Sequence, residues 1–551
     1  MRALAKYLSN PADVQPLMKI RAGRPGDAVR RPRHREIRLS REMSAGIDVP
    51  VLGRGDRAVA AALRAGQQRA DSPGHGGATG HCEGATFAEV VLHVHDDQSA
   101  HACSPQPIGT AAGLRRRRAA RPAAADTGMI AVMIDMLLRN ARLAGTDTLT
   151  DLSIENGSIV AVDPAATEII DLAGRLVTPP LVEPHIHLDA ALTAGQPRPN
   201  ISGSLFEGIA VWAERVATLT HRDVQARARQ VLRWQLACGV QHVRSHVDVC
   251  DPKLTALRAL ADLRAETRGL IDLQLVAFPQ QGILSFDGGR ELMRRAVQLG
   301  ADVVGAIPHF ELTREDGVES VRFAMALAAE HGLRVDIHCD ETDDDQSRFI
   351  EVMAAETIRR GMSGRVTASH TTAMHSYNNA YAHRLIANIA RAGLHMVTNP
   401  LDNAVLQGRF DTGPIRRGHT RVKALLEAGV NVCVGHDSVL DPWYPLGYGD
   451  PLQAAFVLVH LGQMSGDGEL RQLIDMITTN PAAALGLSGY GLRPGGPADL
   501  VVFDAPSEAD ALRLIAPRTL VLRAGKVVAR SEPARHTVVW GGAEEPVTFL
   551  R

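Results

Sequence analysis

The sequence predicts an α/β protein built on a closed barrel of eight parallel strands, with a small β domain assembled from both ends of the same region. Three observations carry that reading. Strand-like apolar runs recur at 181–188, 240–249, 271–278, 302–310, 333–338, 365–370, 394–399 and 430–436, and amphipathic helical runs such as 254–267, 318–331 and 381–392 lie between them. This alternation is the pattern of parallel βα units, and eight of them suit a closed barrel better than an open sheet. Short strands stand before the barrel (133–143, 149–162, 169–179) and after it (498–504, 519–522, 526–529), so they most simply pair with one another. Finally, the residues able to do chemistry gather at the strand ends, where barrel sites form.

Taken in order, residues 1–130 form an Arg-, Ala- and Gly-rich extension with repeated breakers such as Arg24-Pro25-Gly26 and Ser72-Pro73-Gly74. Such a segment buries too little apolar surface to offset its ordering entropy. It is expected to be a disordered extension or untranslated sequence, with Met129, Met133 and Met136 available as later starts. Two local exceptions are a helix at 57–70 and a strand at 87–95. The patch His75, His81, His93, His95 and His101 has no ligand spacing and is not read as a metal site. The run Arg115 to Arg118 is not read as a nucleic-acid contact. Residues 131–180 begin the β domain, 181–490 form the barrel, and 491–551 complete the β domain and tail.

Composition narrows the class. The 551 residues are 45% apolar and 22% charged, with 60 Lys and Arg against 61 Asp and Glu, a net charge of −1. That balance gives no chain-wide attraction to nucleic acid or acidic lipid. No apolar stretch reaches the length of a membrane span, and no secretory-type core follows Met1. Six cysteines without a CxxC exclude a disulfide scaffold or a Cys-rich zinc module. The expectation is a soluble cytoplasmic protein that acts on a small molecule, touches neither nucleic acid nor membrane, and assembles as a homo-oligomer.

The chemistry is read from the strand ends. In Glu183-Pro184-His185-Ile186-His187-Leu188-Asp189 two histidines stand at i and i+2, so both rings face the barrel interior. His338 ends the fifth strand with Glu341 just beyond it, His370 ends the sixth, and His436-Asp437 ends the eighth. Several imidazoles with a carboxylate suit one divalent ion, Zn(II) or Fe(II), and leave room for water.

At these residues the chain resembles the amidohydrolase superfamily and, within it, the bacterial cytosine deaminases. The resemblance runs from about Met133 to Arg530. It includes Thr193-Ala194-Gly195-Gln196-Pro197, Leu205-Phe206-Glu207-Gly208-Ile209, Val276-Ala277-Phe278-Pro279-Gln280, Thr367-Ala368-Ser369-His370-Thr371 and Asp441-Pro442-Trp443-Tyr444-Pro445. It implies a distorted TIM-type (β/α)8 barrel, a β-sandwich joining both chain ends, and one catalytic metal held by His185, His187, His338 and Asp437. Glu341 would shuttle protons, His370 would polarise the attacking water, and Gln280 would read the pyrimidine edge. Leu205, Ser438 and Trp443 would line the substrate pocket. The implied reaction is hydrolytic deamination of free cytosine to uracil and ammonia, a step of pyrimidine salvage.

Elementary chemistry agrees with this. Breaking an amidine-like C–NH2 bond needs a nucleophile at neutral pH, which a metal provides by lowering the pKa of water towards about 7. It also needs a proton on the adjacent ring nitrogen, which a carboxyl such as Glu341 can donate. A primary amide such as Gln280 offers a donor and an acceptor to a lactam edge. Where binuclear relatives carry a lysine at the end of strand four, this chain has Gly305-Ala306-Ile307-Pro308. The H-x-E with P-C-x-x-C signature of nucleoside-type zinc deaminases is also missing. One departure stands out. The family commonly carries a second Asp after the ligand, and here it is Ser438. The alternative substrate is therefore another amino-azaheterocycle, such as isocytosine, a creatinine-like ring or an aminotriazine. Asp189, Asp340, His375 and His436 are read as supporting structure.

Overall fold

The computed structural model describes residues 134–550. The expected low order of the extension, the helix at 57–70 and the strand at 87–95 lie outside the described residues.

The first described strand, β1 (Ile134–Leu143), pairs antiparallel with β2 (Leu149–Glu155), which turns into β3 (Ser158–Val160). Its other edge is shared. The first half of β1 pairs with β4 (Ala166–Asp171) and its last residues with β5 (Leu176–Thr178), both in parallel. The change of partner falls where the register shifts between Leu138 and Ala141, at Asn140 with φ 53°. Asparagine tolerates that left-handed conformation better than most residues.

The barrel follows. Strands β6 (Leu181–Ile186), β7 (Val240–Asp248), β8 (Asp272–Phe278), β9 (Val303–Val304), β10 (Arg334–Cys339), β11 (Val366–His370), β12 (His395–Thr398) and β13 (Asn431–Val434) lie side by side in chain order. All are parallel. The fourth strand is shorter than the expected 302–310. After Val304 the chain turns into a 3-10 helix, Pro308–Phe310, because a proline without an N–H cannot extend the ladder. Helices wrap the outside. In His221–Ala237, for example, Val224, Ala228, Val231 and Leu232 make one buried stripe. The Thr220 side chain caps this helix by accepting from the Asp223 N–H.

The last strands close the β domain. β14 (Leu500–Phe503) pairs with β5, β15 (Arg518–Arg523) with β14, and β16 (Lys526–Arg530) with β15, all antiparallel. Alternation divides β14 between two cores. Leu500 and Val502 join Leu138, Ile154 and Val177, while Val501 and Phe503 face the barrel helices. Beyond Arg530, β17 (His536–Trp540) and β18 (Ala543–Val547) form a separate hairpin that the sequence reading did not include. No helix among the described residues is long and apolar enough to cross a membrane.

Candidate active site

The barrel closes where the donors are. A single parallel bridge joins Ile186 to Asp437, with the Asp437 N–H donating to the His185 carbonyl at 2.9 Å and the His187 N–H to the Asp437 carbonyl at 3.2 Å. Closing the seam between the first and eighth strands therefore sets His185, His187 and Asp437 side by side. Gly435 permits the approach, since a Cβ there would stand 2.4 Å from Asn399 Oδ1 and 3.0 Å from His185 Cβ. Asp437 and His370 both turn into the mouth with left-handed backbones, φ 70° and 68°. Such strain costs about 1–3 kcal/mol per residue and collects at functional sites.

The donor atoms converge. His338 Nε2 lies 3.2 Å from His185 Nε2 and 3.0 Å from His187 Nε2. Asp437 Oδ1 lies 3.5 Å and 3.4 Å from the same two nitrogens of His185 and His187. Donors about 2.0–2.1 Å from a tetrahedral Zn would stand about 3.3 Å from each other, so these four residues fit one divalent ion. Burial lowers the pKa of His185 and His338 and brings His187 down to about 4, so the rings are neutral and their lone pairs free. His370 also comes close: with His185, His338 and Asp437, but not His187, its donor atoms lie within 4.8 Å of one another. It differs in facing the other carboxylate oxygen, with its Nε2 3.7 Å from Asp437 Oδ2.

Beneath the donors lies a polar layer that the sequence did not reveal. His185 Nδ1 is 2.9 Å from Ser369 Oγ, and the Ser369 hydroxyl donates to Asp336 Oδ1 at 2.7 Å. Arg244 donates to the other Asp336 oxygen at 2.9 Å, and both side chains are fully buried. Because Ser369 spends its proton on Asp336, it accepts from His185 Nδ1–H, which leaves Nε2 as the ligand atom. Ser369→Ala is expected to weaken metal binding by about 10–100-fold, measured by chelator competition. An unchanged affinity would remove Ser369 from this role. Glu183 braces the seam by accepting from the His185 and His436 backbone N–H groups at 3.0 and 3.1 Å. His246, with its ring centre 3.9 Å from that of His185, was also missed. Its signal was the His246-Val247-Asp248 run at the end of the second strand.

Above the donors a cleft of about 270 Å³ is lined by His187, Leu205, Gln280, His338, Glu341, His370, Asp402, Leu406, Asp437, Ser438 and Trp443. Every sequence-expected site residue except the more deeply set His185 reaches this cleft. Leu205 opens the helix Leu205–Val216, and Gly208 on that helix makes room for Trp443. Glu341 is 3% exposed, and its carboxyl pKa is pushed well up by burial and then by Asp437. Asn403 Nδ2 stands 3.4 Å from Glu341 Oε1 and 3.0 Å from His370 Nδ1. Asn399 Nδ2 in turn stands 3.4 Å from His370 Nδ1 and 3.3 Å from its Nε2, so both ring nitrogens face an amide donor. Asn403 and Asp402 come from the short helix Pro400–Leu406, and neither was singled out in the sequence. Asp189, Asp340 and His436 serve structure. For example, Asp340 accepts from the Phe349 and Ile350 N–H groups, and His436 Nδ1 bonds the Ser438 carbonyl.

The model of the amidohydrolase family matches residues 168–539. The chain belongs to this family. It is a hydrolase acting on C–N bonds. This amidohydrolase is 49% identical to 5-methylcytosine deaminase from Klebsiella pneumoniae, solved with 5-fluorocytosine and with phosphonocytosine. The match has a TM-score of 0.71 and covers 72% of this chain and 98% of the structure with 5-fluorocytosine. It is 28% identical to N-isopropylammelide isopropyl amidohydrolase of Pseudomonas, over 72% of this chain and 98% of the relative. It is 30% identical to pterin deaminase of Rhizobium rhizogenes, over 70% and 88%.

Proposed function

We propose that this amidohydrolase deaminates a free cytosine-type base, cytosine or 5-methylcytosine, to the corresponding oxo-pyrimidine and ammonia. The observation that carries the reading is the cleft that Gln280, Glu341 and the donors His187, His338 and Asp437 line together. Likeness to a 5-methylcytosine deaminase at 49% identity supports it. When bound by His185, His187, His338 and Asp437, a divalent ion, Zn(II) or Fe(II), supplies a nucleophile at neutral pH. Gln280 holds the lactam edge. Glu341 donates a proton to ring N3, which makes C4 electrophilic. His370 and Asp437 take the proton from the attacking water. Glu341, deprotonated by that first transfer, takes the remaining proton from the new C4 hydroxyl and passes it to the amine. The C4–N bond breaks as the C4 carbonyl forms, ammonia leaves, and the proton held by His370 and Asp437 returns to Glu341. Ser438 presents a small hydroxyl to the cleft, which supports acceptance of a 5-methyl group on the ring.

Ammonia release tests this with purified, metal-replete enzyme and a panel of cytosine, 5-methylcytosine, isocytosine, creatinine and an aminotriazine. Cytosine and 5-methylcytosine should exceed the others in kcat/KM by about 10²-fold or more, because a site built to bond one polar edge rejects rings that lack it. If isocytosine or the triazine led the panel, the pyrimidine assignment would be wrong although the family would stand.

A further inference from the structure

Asp402 is a carboxyl that none of these steps uses. It is 2% exposed and faces the cleft beside Ser438, Leu406 and Trp443. Its Oδ1 has no hydrogen-bond partner. Ser438 stands beside both Asp402 and Asp441. Asp441 has work in the fold, because its Oδ1 accepts from the Trp443 N–H at 2.9 Å and the Tyr444 N–H at 3.0 Å. Asp402 bonds no backbone N–H in this way. A carboxyl oxygen buried without a partner is costly unless a ligand pairs with it.

Barrel order fixes which part of a ring Asp402 meets. Gln280 follows β8, Glu341 follows β10, His370 ends β11, Asp402 follows β12, and Asp437 and Ser438 follow β13. In an eight-stranded barrel β8 and β12 are four strands apart, on opposite sides of the mouth. A pyrimidine with its N1–C2 edge on Gln280 and N3 on Glu341 directs its exocyclic amine and C5 towards β12 and β13. The amine carries two N–H bonds, and the one on the C5 side points at Asp402.

We infer that Asp402 reads the exocyclic amino group of the substrate, accepting its C5-side N–H and holding the departing ammonia. The inference rests on the cytosine-type substrate proposed above. A carboxyl keeps an acceptor oxygen whether or not it is protonated. The oxo-product offers no N–H at this point, so the contact distinguishes amino- from oxo-pyrimidines.

The test uses the full-length, metal-replete enzyme. It compares KM for cytosine with Ki for uracil as a competitive inhibitor. Asp402→Ala should raise KM for cytosine about 10–100-fold, the loss expected when a buried N–H is left without its acceptor. Ki for uracil should stay within about threefold and metal content should not change. Asp402→Asn keeps the shape and can donate to the oxo group, so it should bind uracil more tightly and cytosine more weakly than wild type. It carries the same readout should the alanine variant fail to fold. If KM and Ki shift by the same factor, or neither shifts, Asp402 is structural and the inference is overturned. A wild-type enzyme that turns over neither cytosine nor 5-methylcytosine would overturn the substrate reading and this inference with it. Normal turnover with an unmoved ratio would overturn the inference alone.

Discussion

His185→Ala and Asp437→Ala are each expected to lose the bound metal and with it all measurable deaminase turnover. Both residues sit on the seam that closes the barrel, and both are nearly or fully buried. His185 is doubly held, by Ser369 on one ring nitrogen and by the donor cluster on the other. Asp437 Oδ1 is the carboxylate atom that meets both histidines of the His185-Ile186-His187 pair. Removing one of four donors leaves an incomplete shell. The loss should exceed the roughly 10–100-fold that a supporting residue contributes. Metal per chain and ammonia release, with circular dichroism to confirm folding, measure the effect. A metal-free variant working at the wild-type rate would refute the ligand set.

Glu341→Gln should keep the metal and the substrate yet lower kcat by about 10²–10⁴-fold, the range that general acid–base catalysis contributes. The substitution preserves size and reach but removes the proton chemistry. Burial and the neighbouring Asp437 raise the Glu341 pKa well above the usual carboxyl value, so the protonated form persists to higher pH than in a free carboxyl. The first step needs that protonated form. In the wild type, kcat/KM should therefore fall as pH rises through the raised pKa, and Glu341→Gln should lack that limb. A variant that kept more than about half of the wild-type kcat would show that the proton takes another route.

The parts of the molecule legible in the sequence are those whose chemistry is local. The His-x-His pair, the strand ends at His338 and His370, and the βα alternation announce a candidate metal site at a barrel mouth, because each signal lies within a few residues. The apolar run 302–310 suggests a longer fourth strand than the one that forms, Val303–Val304, because Pro308 opens a 3-10 helix within it. The terminal hairpin was missed although Gly541-Gly542 is a two-residue turn signal between β-rich runs. Ser369, Asp336 and Arg244 form one chain of contacts from three strands, so their shared role emerges only once the barrel is closed. Asn403 and Asp402 are ordinary polar residues in the sequence. They gain meaning because the helix Pro400–Leu406 carries them over the donors.

The most direct measurement is a titration of chelator-stripped enzyme with Zn(II) or Fe(II), following ammonia release from cytosine and 5-methylcytosine. Stripped enzyme should be silent, and activity should rise linearly and break at about one ion per chain, as the single four-donor cluster requires. Full turnover without added metal, or a break at about two ions, would contradict a single metal held by His185, His187, His338 and Asp437.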